Sequence, residues 1–522
     1  VPIESLAPAW RTVPVERLVL AVVHNVTAAT RLLDVLPLWT DDTRVQTVFT
    51  CVGSSAFTSG TVEWLTGQGM TVLDWADAVG AEFDLAIAAS HGGPLHELRA
   101  PLIVLPHGMG YNKLLADHVF GLSPPWLLHE GELIPSVLVL SHSEQLDRLR
   151  AACPEATGIA VVAGDPTYDR ILAGAPLRAT YREALGAAHD QRLVLVSSTW
   201  GERSLFGRDP GLVLRLATEL PLDEYRIVVA LHPNIWFGHS PWQLRRWLAA
   251  CSAAGVTVLP PVRGWQAAVA AADLTIGDHS SVSFYSAATG TPVLLASAPH
   301  DTLDPASPIA ALLRAAPLLD PAAPLRPQLD AAAYRHDTDL ATSVPGEAAA
   351  LIRTLVYKEI GLTEPETPAV TLAAAPPVVD SALPAHQLVG VGADGTVRRF
   401  PAEALRSGGV PETVLVVSTD EPSREWLQAA DSVVHSGPLA DPGAWMGATL
   451  RSLPGCRYAA AKQEPGRWLV GDRAGRIVRV HGPDDLGHVY AAFQHFGPTT
   501  RFTLGGRTVT CSVEETPGLL GE

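Results

Sequence analysis

A short, almost uninterrupted apolar run that ends in polar or glycine residues and is followed by a helical stretch recurs throughout residues 17–360. RLVLAVV, at Arg17–Val23, ends at His24-Asn25 and leads into the helix-like residues 27–36. Further runs lie at 44–51, 71–73, 84–89, 102–105, 136–140 and 159–162, with helical stretches at 60–67 and 144–152. A run that is apolar at every position suits a strand buried on both faces, and strands alternating with helices build parallel sheets covered on both sides. A second series opens at 193–196 and continues at 226–230, 256–259, 274–276 and 293–295, with helical stretches such as 242–250 and a last helix at 346–360. Two successive Rossmann-like α/β domains are therefore expected, 1–180 and 181–360. Ligands should sit at the carboxyl ends of their strands and in the cleft between them.

Residues 361–383 are rich in Pro, Ala and Thr, hold no period and read as a linker. Residues 384–522 read as an α+β domain. It has strands at 388–391 and 396–400 around an Asp394-Gly395 turn, further strands at 414–417, 467–470, 477–480 and 501–504, and a helix at 484–496. No catalytic motif stands out there, and its role is left open.

A net charge of −17 argues against nucleic acid or an anionic membrane as partner, while leaving room for a local basic pocket. Five scattered cysteines without a CxxC pair give no zinc signature and suit a reducing compartment. No apolar run spans a bilayer, and VPIESLAPAW lacks the order of a signal peptide, so a cytoplasmic location without an integral membrane segment is expected. No metal site is expected. No GxGxxG follows the first strand and no GxxxxGK[ST] occurs, which disfavours dinucleotide oxidoreductases and P-loop enzymes.

The chemistry-bearing residues gather at strand ends. In AADLTIGDHSSVSFYSAATGTPVLL (271–295), a strand at 274–276 meets the elbow Gly277-Asp278-His279-Ser280-Ser281 before a helix at 282–289 and a strand at 292–295. Free backbone N–H groups and the positive end of the helix dipole make such an elbow a seat for phosphate, with Ser280 and Ser281 adding a cap and hydroxyl donors. PHGMGYNK (106–113) places His107 at a strand end, glycines beside it and Lys113 a turn later, a pattern suited to a base beside an anionic substrate. LHPN (231–234) offers His232 as a donor to a phosphate or leaving group. SSTWGER (197–203) offers Ser198 and Thr199 hydroxyls and Arg203, which could fork onto phosphate. His91 ends the 84–89 run in the same way but without a following cation, so it ranks lower; His142 reads as a helix-start residue. Trp200, Trp236, Trp242, Trp247 and Trp265 read mostly as core.

Taken in order, PHGMGYNK, GDPTYD (164–169), SSTWGER, LHP and GDHSS...ATGTPVLL resemble the CDP-glycerol glycerophosphotransferase family, which includes teichoic acid polymerases. The resemblance covers roughly residues 17–360. It implies the two-domain glycosyltransferase-B arrangement, with His107 as the base that takes the acceptor hydroxyl's proton, His232 stabilising the pyrophosphate or departing nucleotide, and Ser280 and Ser281 as phosphate ligands. Lys113, Ser198, Thr199, Arg203, Asp278 and His279 join them as substrate- or phosphate-binding positions. The implied partners are a nucleotide-diphosphate donor, CDP-linked by preference, and a hydroxyl acceptor, with no further cofactor. The chain departs from the family pattern at His279 (Tyr in D-Y-S-S), at Ser198-Thr199-Trp200-Gly201 (P-T-x-R) and at Asn112-Lys113 (two Lys). These departures keep open a glycosyltransferase of the same fold, a UDP-sugar 2-epimerase and a non-catalytic binding or scaffolding protein.

Overall fold

The computed structural model describes residues 12–53, 60–380, 382–408, 410, 412–492 and 498–516. Within the first domain β1 (Arg17–Val23), β2 (Val45–Cys51), β3 (Val72–Leu73), β4 (Leu85–Ala88), β5 (Leu102–Val104), β6 (Val137–Leu140) and β7 (Ala160–Val162) form one sheet in the order β3-β2-β1-β4-β5-β6-β7. All its pairings are parallel. The apolar run of β1 serves two cores at once: Val19, Ala21 and Val23 pack on one face of the sheet, Leu20 and Val22 on the other. Period-two alternation into two cores is why the strand carries no polar position from Leu18 to Val23.

The second domain repeats the plan with β8 (Arg192–Ser198), β9 (Tyr225–Leu231), β10 (Thr257–Val258), β11 (Leu274–Gly277) and β12 (Val293–Leu295), ordered β10-β9-β8-β11-β12 and again parallel. Leu193 and Leu195 face one core, Val194 and Val196 the other. Strand order reverses between β1 and β4 and between β8 and β11, and at such a switch point the flanking helices diverge and leave a crevice beyond the carboxyl ends. The two domains face each other across these crevices.

GDPTYD is a clasp between the domains. Gly164 takes φ +83°, and a Cβ there would meet Val344, Thr342 and Ala348 at 3.0–3.3 Å. Asp165 caps the helix Pro166–Ala173 through the Thr167 and Tyr168 N–H groups (2.9 and 3.0 Å) and accepts the Tyr285 hydroxyl of the second domain at 2.7 Å. Asp169 accepts from the N–H groups of Gly346 (2.8 Å) and Ala348 (3.0 Å), at the start of the helix Ala348–Glu359. That helix crosses back: Ile352, Val356 and Tyr357 pack with Val19, Ala21 and Val23 in the first domain's core, not in the second as the order of the sequence suggests. Residues 361–380 are pinned along the same side, with Arg353, Arg170 and Tyr181 donating to the carbonyls of Thr367, Leu372 and Ala374.

The α+β C-terminal region closes into a nine-stranded barrel that mixes parallel and antiparallel pairs. The helix Gly487–Ala492 lies inside it: Val489, Tyr490 and Ala491 belong to a core that draws residues from all nine strands. The expected helix continues to 496, but 493–496 lie outside the described residues. The barrel docks on the second domain through Arg399, whose guanidinium donates to Asp223 at 2.5–3.2 Å with both side chains only 4–5% exposed, while Leu222 N–H donates to the Arg399 carbonyl at 2.7 Å. Among the described residues no helix is long and apolar enough to cross a membrane.

Removing one partner of a buried ion pair leaves an uncompensated charge, so Asp223→Ala should cost ~3–5 kcal/mol in urea unfolding, and pairing it with Arg399→Met should recover most of that loss. Equal loss in the single and double variants would contradict a paired role for these groups.

Candidate active site

The elbow after β11 is built by serines. A Cβ on Gly277 would sit 2.1 Å from Ser283 Oγ, so the close turn requires glycine. Ser283 Oγ accepts from Asp278 N–H (3.1 Å), and Ser280 Oγ caps the helix Ser281–Ala288 by accepting from Ser283 N–H (3.2 Å). Ser281 Oγ reaches across the cleft to accept from Met109 N–H at 3.1 Å. A Cβ on Gly108 would lie 2.7 Å from that oxygen, so glycine at 108 is what lets the two domains meet here.

Together the crevices form a cavity of about 460 Å³. Its walls include His24, Arg31, His91, His107 and Lys113 from the first domain, and Ser198, Thr199, Trp200, His232, Trp265, His279, Ser280 and Ser281 from the second. Eight of the ten residues singled out from sequence therefore share one cavity, and two do not. Asp278 is fully buried, and its carboxylate is spent on the N–H groups of Thr199 and Leu205 (both 2.9 Å) and the Ser198 hydroxyl (3.3 Å). It ties the end of β11 to the end of β8, and burial raises its pKa to about 6 against those hydrogen bonds; an anion so used is not a phosphate ligand. Arg203 forks onto Asp301 on the surface instead of turning inward.

The imidazoles are set by backbone partners. His107 Nδ1 lies 2.9 Å from the Ala89 carbonyl, which can only accept, so Nδ1 carries the proton and Nε2 holds a lone pair. His232 Nδ1 accepts from Asn234 N–H at 3.1 Å, so its proton sits on Nε2. Burial keeps both rings neutral. It lowers His107 to about 4, helped by the charges of Arg31 and Lys113, and it lowers His232 well below the usual range, helped by Lys113, His107 and Arg31. The same desolvation lowers His24 and His279 to about 4 and His91 to about 3.

Two cations stand over aromatic faces at the cavity wall, Lys113 over Trp200 (5.0 Å) and Arg31 over Trp265 (4.8 Å). Lys113 is an exposed residue, yet burial of its ammonium end shifts its pKa down, and Asp278 shifts it up. Arg31 is not singled out by sequence reading. Its only signal is to be the lone cation of the helix Val26–Val35 that follows the first strand, where the helix turns it toward the cleft. Trp200 and Trp265 line the cavity, Trp236 is core, and Trp242 and Trp247 are exposed. His142 accepts from Glu144 N–H at a helix start, as expected. Among the described residues no cluster of His, Cys, Asp and Glu is arranged to hold a metal ion.

The chain matches no protein-family model and no curated protein. Among solved structures, a variant of the wall teichoic acid polymerase TagF soaked with CDPG is 12% identical over 66% of this chain and 89% of that one, with a TM-score of 0.41. The UDP-GlcNAc 2-epimerase from Methanocaldococcus jannaschii is 10% identical over 65% and 99%, with a TM-score of 0.41, and S. aureus MnaA with UDP is 11% identical over 68% and 99%, with a TM-score of 0.40. Likeness at this level carries no argument about chemistry, and the reading of the cavity rests on its own atoms.

The lowered pKa values have a stability consequence. An unfolded histidine takes up a proton near pH 6.5, whereas His24, His91, His107, His279 and the barrel's His488 resist protonation down to about 3–4. The unfolded chain binds more protons in that window, so stability should fall as pH drops from 6.5. Asp165 and Asp278, raised to about 6, take up protons in the native state and oppose this, together with Glu144, Asp169 and His386, which are also raised; His232, His142 and His336, all lowered, add to the histidine side. Urea midpoints should therefore decline from pH 6.5 to 4.5; a flat or rising profile would contradict neutral, buried rings.

Proposed function

We propose that this chain is a transferase that moves a glycerophosphate-type group from a nucleotide-diphosphate donor, CDP-linked, to an acceptor hydroxyl. The observation that carries the reading is the pair of neutral imidazoles in opposite tautomers on facing walls of one cavity: His107 presents a lone pair at Nε2, His232 an N–H at Nε2. The helix start at Ser280-Ser281 and the cations Arg31 and Lys113 supply the surroundings that a diphosphate needs. Because Ser281 Oγ accepts from Met109 N–H, its own proton is free to be donated to a phosphate oxygen. Pro260 and Pro261 add the apolar surface on which a nucleobase packs.

In this reading His107 Nε2 takes the acceptor's proton as the acceptor oxygen bonds to the phosphorus that carries glycerol. The bond from that phosphorus to the CMP oxygen breaks, its electron pair leaves with CMP, and His232 Nε2–H donates to the departing phosphate. Positioning and preorganised donors supply most of the rate in such a transfer. A base near 4 is weak at neutral pH, yet part of that depression comes from Arg31 and Lys113. Arg31 is already paired with Asp34 at 3.5 Å and donates to Thr167 at 2.9 Å, so a bound diphosphate acts mainly on Lys113, and neutralising that charge raises the basicity of His107.

Incubation with CDP-glycerol and glycerol should release CMP, and His107→Asn should slow turnover by ~10²–10⁴-fold while leaving protection by CMP against heat intact. Release of CDP would point to transfer at a sugar or glycerol carbon instead, and wild-type turnover in the variant would contradict the base assignment. The acid limb of turnover should lie at higher pH in the donor complex than in the free enzyme; coincident limbs would contradict charge compensation by the donor.

A further inference from the structure

Two tryptophans stand in water on one short helix. Trp242 is 68% and Trp247 49% exposed on the helix Pro241–Trp247, whereas tryptophan side chains are ordinarily well buried. Leu244, and Leu248 just past the helix end, fasten it to the second domain's core beside Trp236 and Val256. At roughly 100° per residue the opposite face carries Trp242, Arg245 and Arg246, with Trp247 on its flank. Both arginines are exposed, and neither is held by an ion pair or hydrogen bond among the described residues. His239 packs its ring on Trp247, 5.1 Å between centroids. The local sequence is unusual in charge as well. Residues 225–272 hold four arginines and no Asp or Glu, in a chain that carries 54 acidic residues among 522.

The face lies beside the cavity. The preceding helix, Pro233–His239, begins at the cavity residues His232, Pro233 and Asn234, and its seven residues reach ~10 Å from that wall before Ser240 turns the chain into Pro241–Trp247. Phe237, near its end, lies 3.4 Å from where a Cβ on Gly60 of the first domain would sit. We propose that this face docks the protein peripherally on an anionic lipid surface, with the two indoles at headgroup level and Arg245 and Arg246 on lipid phosphates. An indole joins an apolar body to an N–H donor and settles where hydrocarbon meets water, and a guanidinium forks onto phosphate. A protein partner calls for a packed apolar centre with a polar rim. Here Arg246 falls between the two indoles around the helix, so apolar and cationic groups alternate, as a headgroup layer requires. The net charge of −17 opposes such docking only from afar, because screening limits its reach to about 10 Å while the acid-free stretch is in contact.

Flotation of the full chain with lipid vesicles tests this independently of the transfer reading. The wild type should float with vesicles of equal parts phosphatidylcholine and phosphatidylglycerol and stay unbound with phosphatidylcholine alone. Trp242→Ala/Trp247→Ala should weaken partitioning about tenfold or more, and Arg245→Gln/Arg246→Gln about thirtyfold, the combined worth of two arginines at an anionic surface. Melting temperatures of both variants should match the wild type, and the arginine variant decides the matter should the tryptophan variant melt early. Absence of the wild type from the floating fraction, or equal flotation of the arginine variant, would overturn the proposal. A concentration-dependent dimer that the tryptophan variant loses, without flotation, would overturn it by assigning the face to a second copy. Binding of soluble polyphosphate without flotation would overturn it by assigning the arginines to a free polyanion.

Discussion

Burial of imidazole rings against backbone partners is the constraint on which the cleft depends. A histidine at the end of a strand in solution exchanges between tautomers and charges near neutrality. Here the Ala89 carbonyl holds the proton of His107 on Nδ1, and the Asn234 N–H holds that of His232 on Nε2. Desolvation keeps both rings uncharged. Both partners are main-chain groups of the same folds that end the strands, so the tautomers follow from the Rossmann topology and need no dedicated side chain.

The topology follows from the apolar runs. β1 and β8 are legible in the sequence because each buries alternate residues in two different cores, which leaves Leu18–Val23 and Leu193–Val196 without a polar position to blur the pattern. His107 and His232 are legible for the same reason, as the first polar residues after such runs, and Ser281 because it stands in the elbow between its strand and helix. Asp278 sits in an equivalent position and is misread, since what decides its role is lateral: the N–H groups of Thr199, just past the neighbouring strand, and of Leu205, at the start of the helix Leu205–Arg208, consume its carboxylate. Arg203 turns to Asp301 for a similar reason, a partner about a hundred residues away in the chain. Arg31 and His91 enter the cavity through the tilt of a helix and the order of strands, neither of which a linear motif records. The return of the helix Ala348–Glu359 to the first domain and the closure of the C-terminal barrel are long-range pairings of the same kind. In the barrel, a strand near residue 400 pairs in parallel with one near 500.

The acidic balance of the chain and the cationic cavity are compatible because charge acts over short distances. With a net charge of −17, Arg31 and Lys113 are concentrated at one wall, each over an indole face, opposite a helix start. Screening confines the surface field to about 10 Å at ordinary ionic strength, so the cleft responds to its own residues. The barrel is fastened to the second domain by the buried Arg399–Asp223 pair, neither of which lines the cavity, and the GDPTYD clasp joins the two facing domains on the side of the returning chain.

The most direct test of this account is the protonation state of the two facing rings, read from long-range ¹H–¹⁵N correlations of histidine-labelled protein at pH 7. His107 should appear as the Nδ1–H tautomer with an unprotonated Nε2, and His232 as the Nε2–H tautomer. A cationic ring at either position, or the reverse assignment of tautomers, would contradict it.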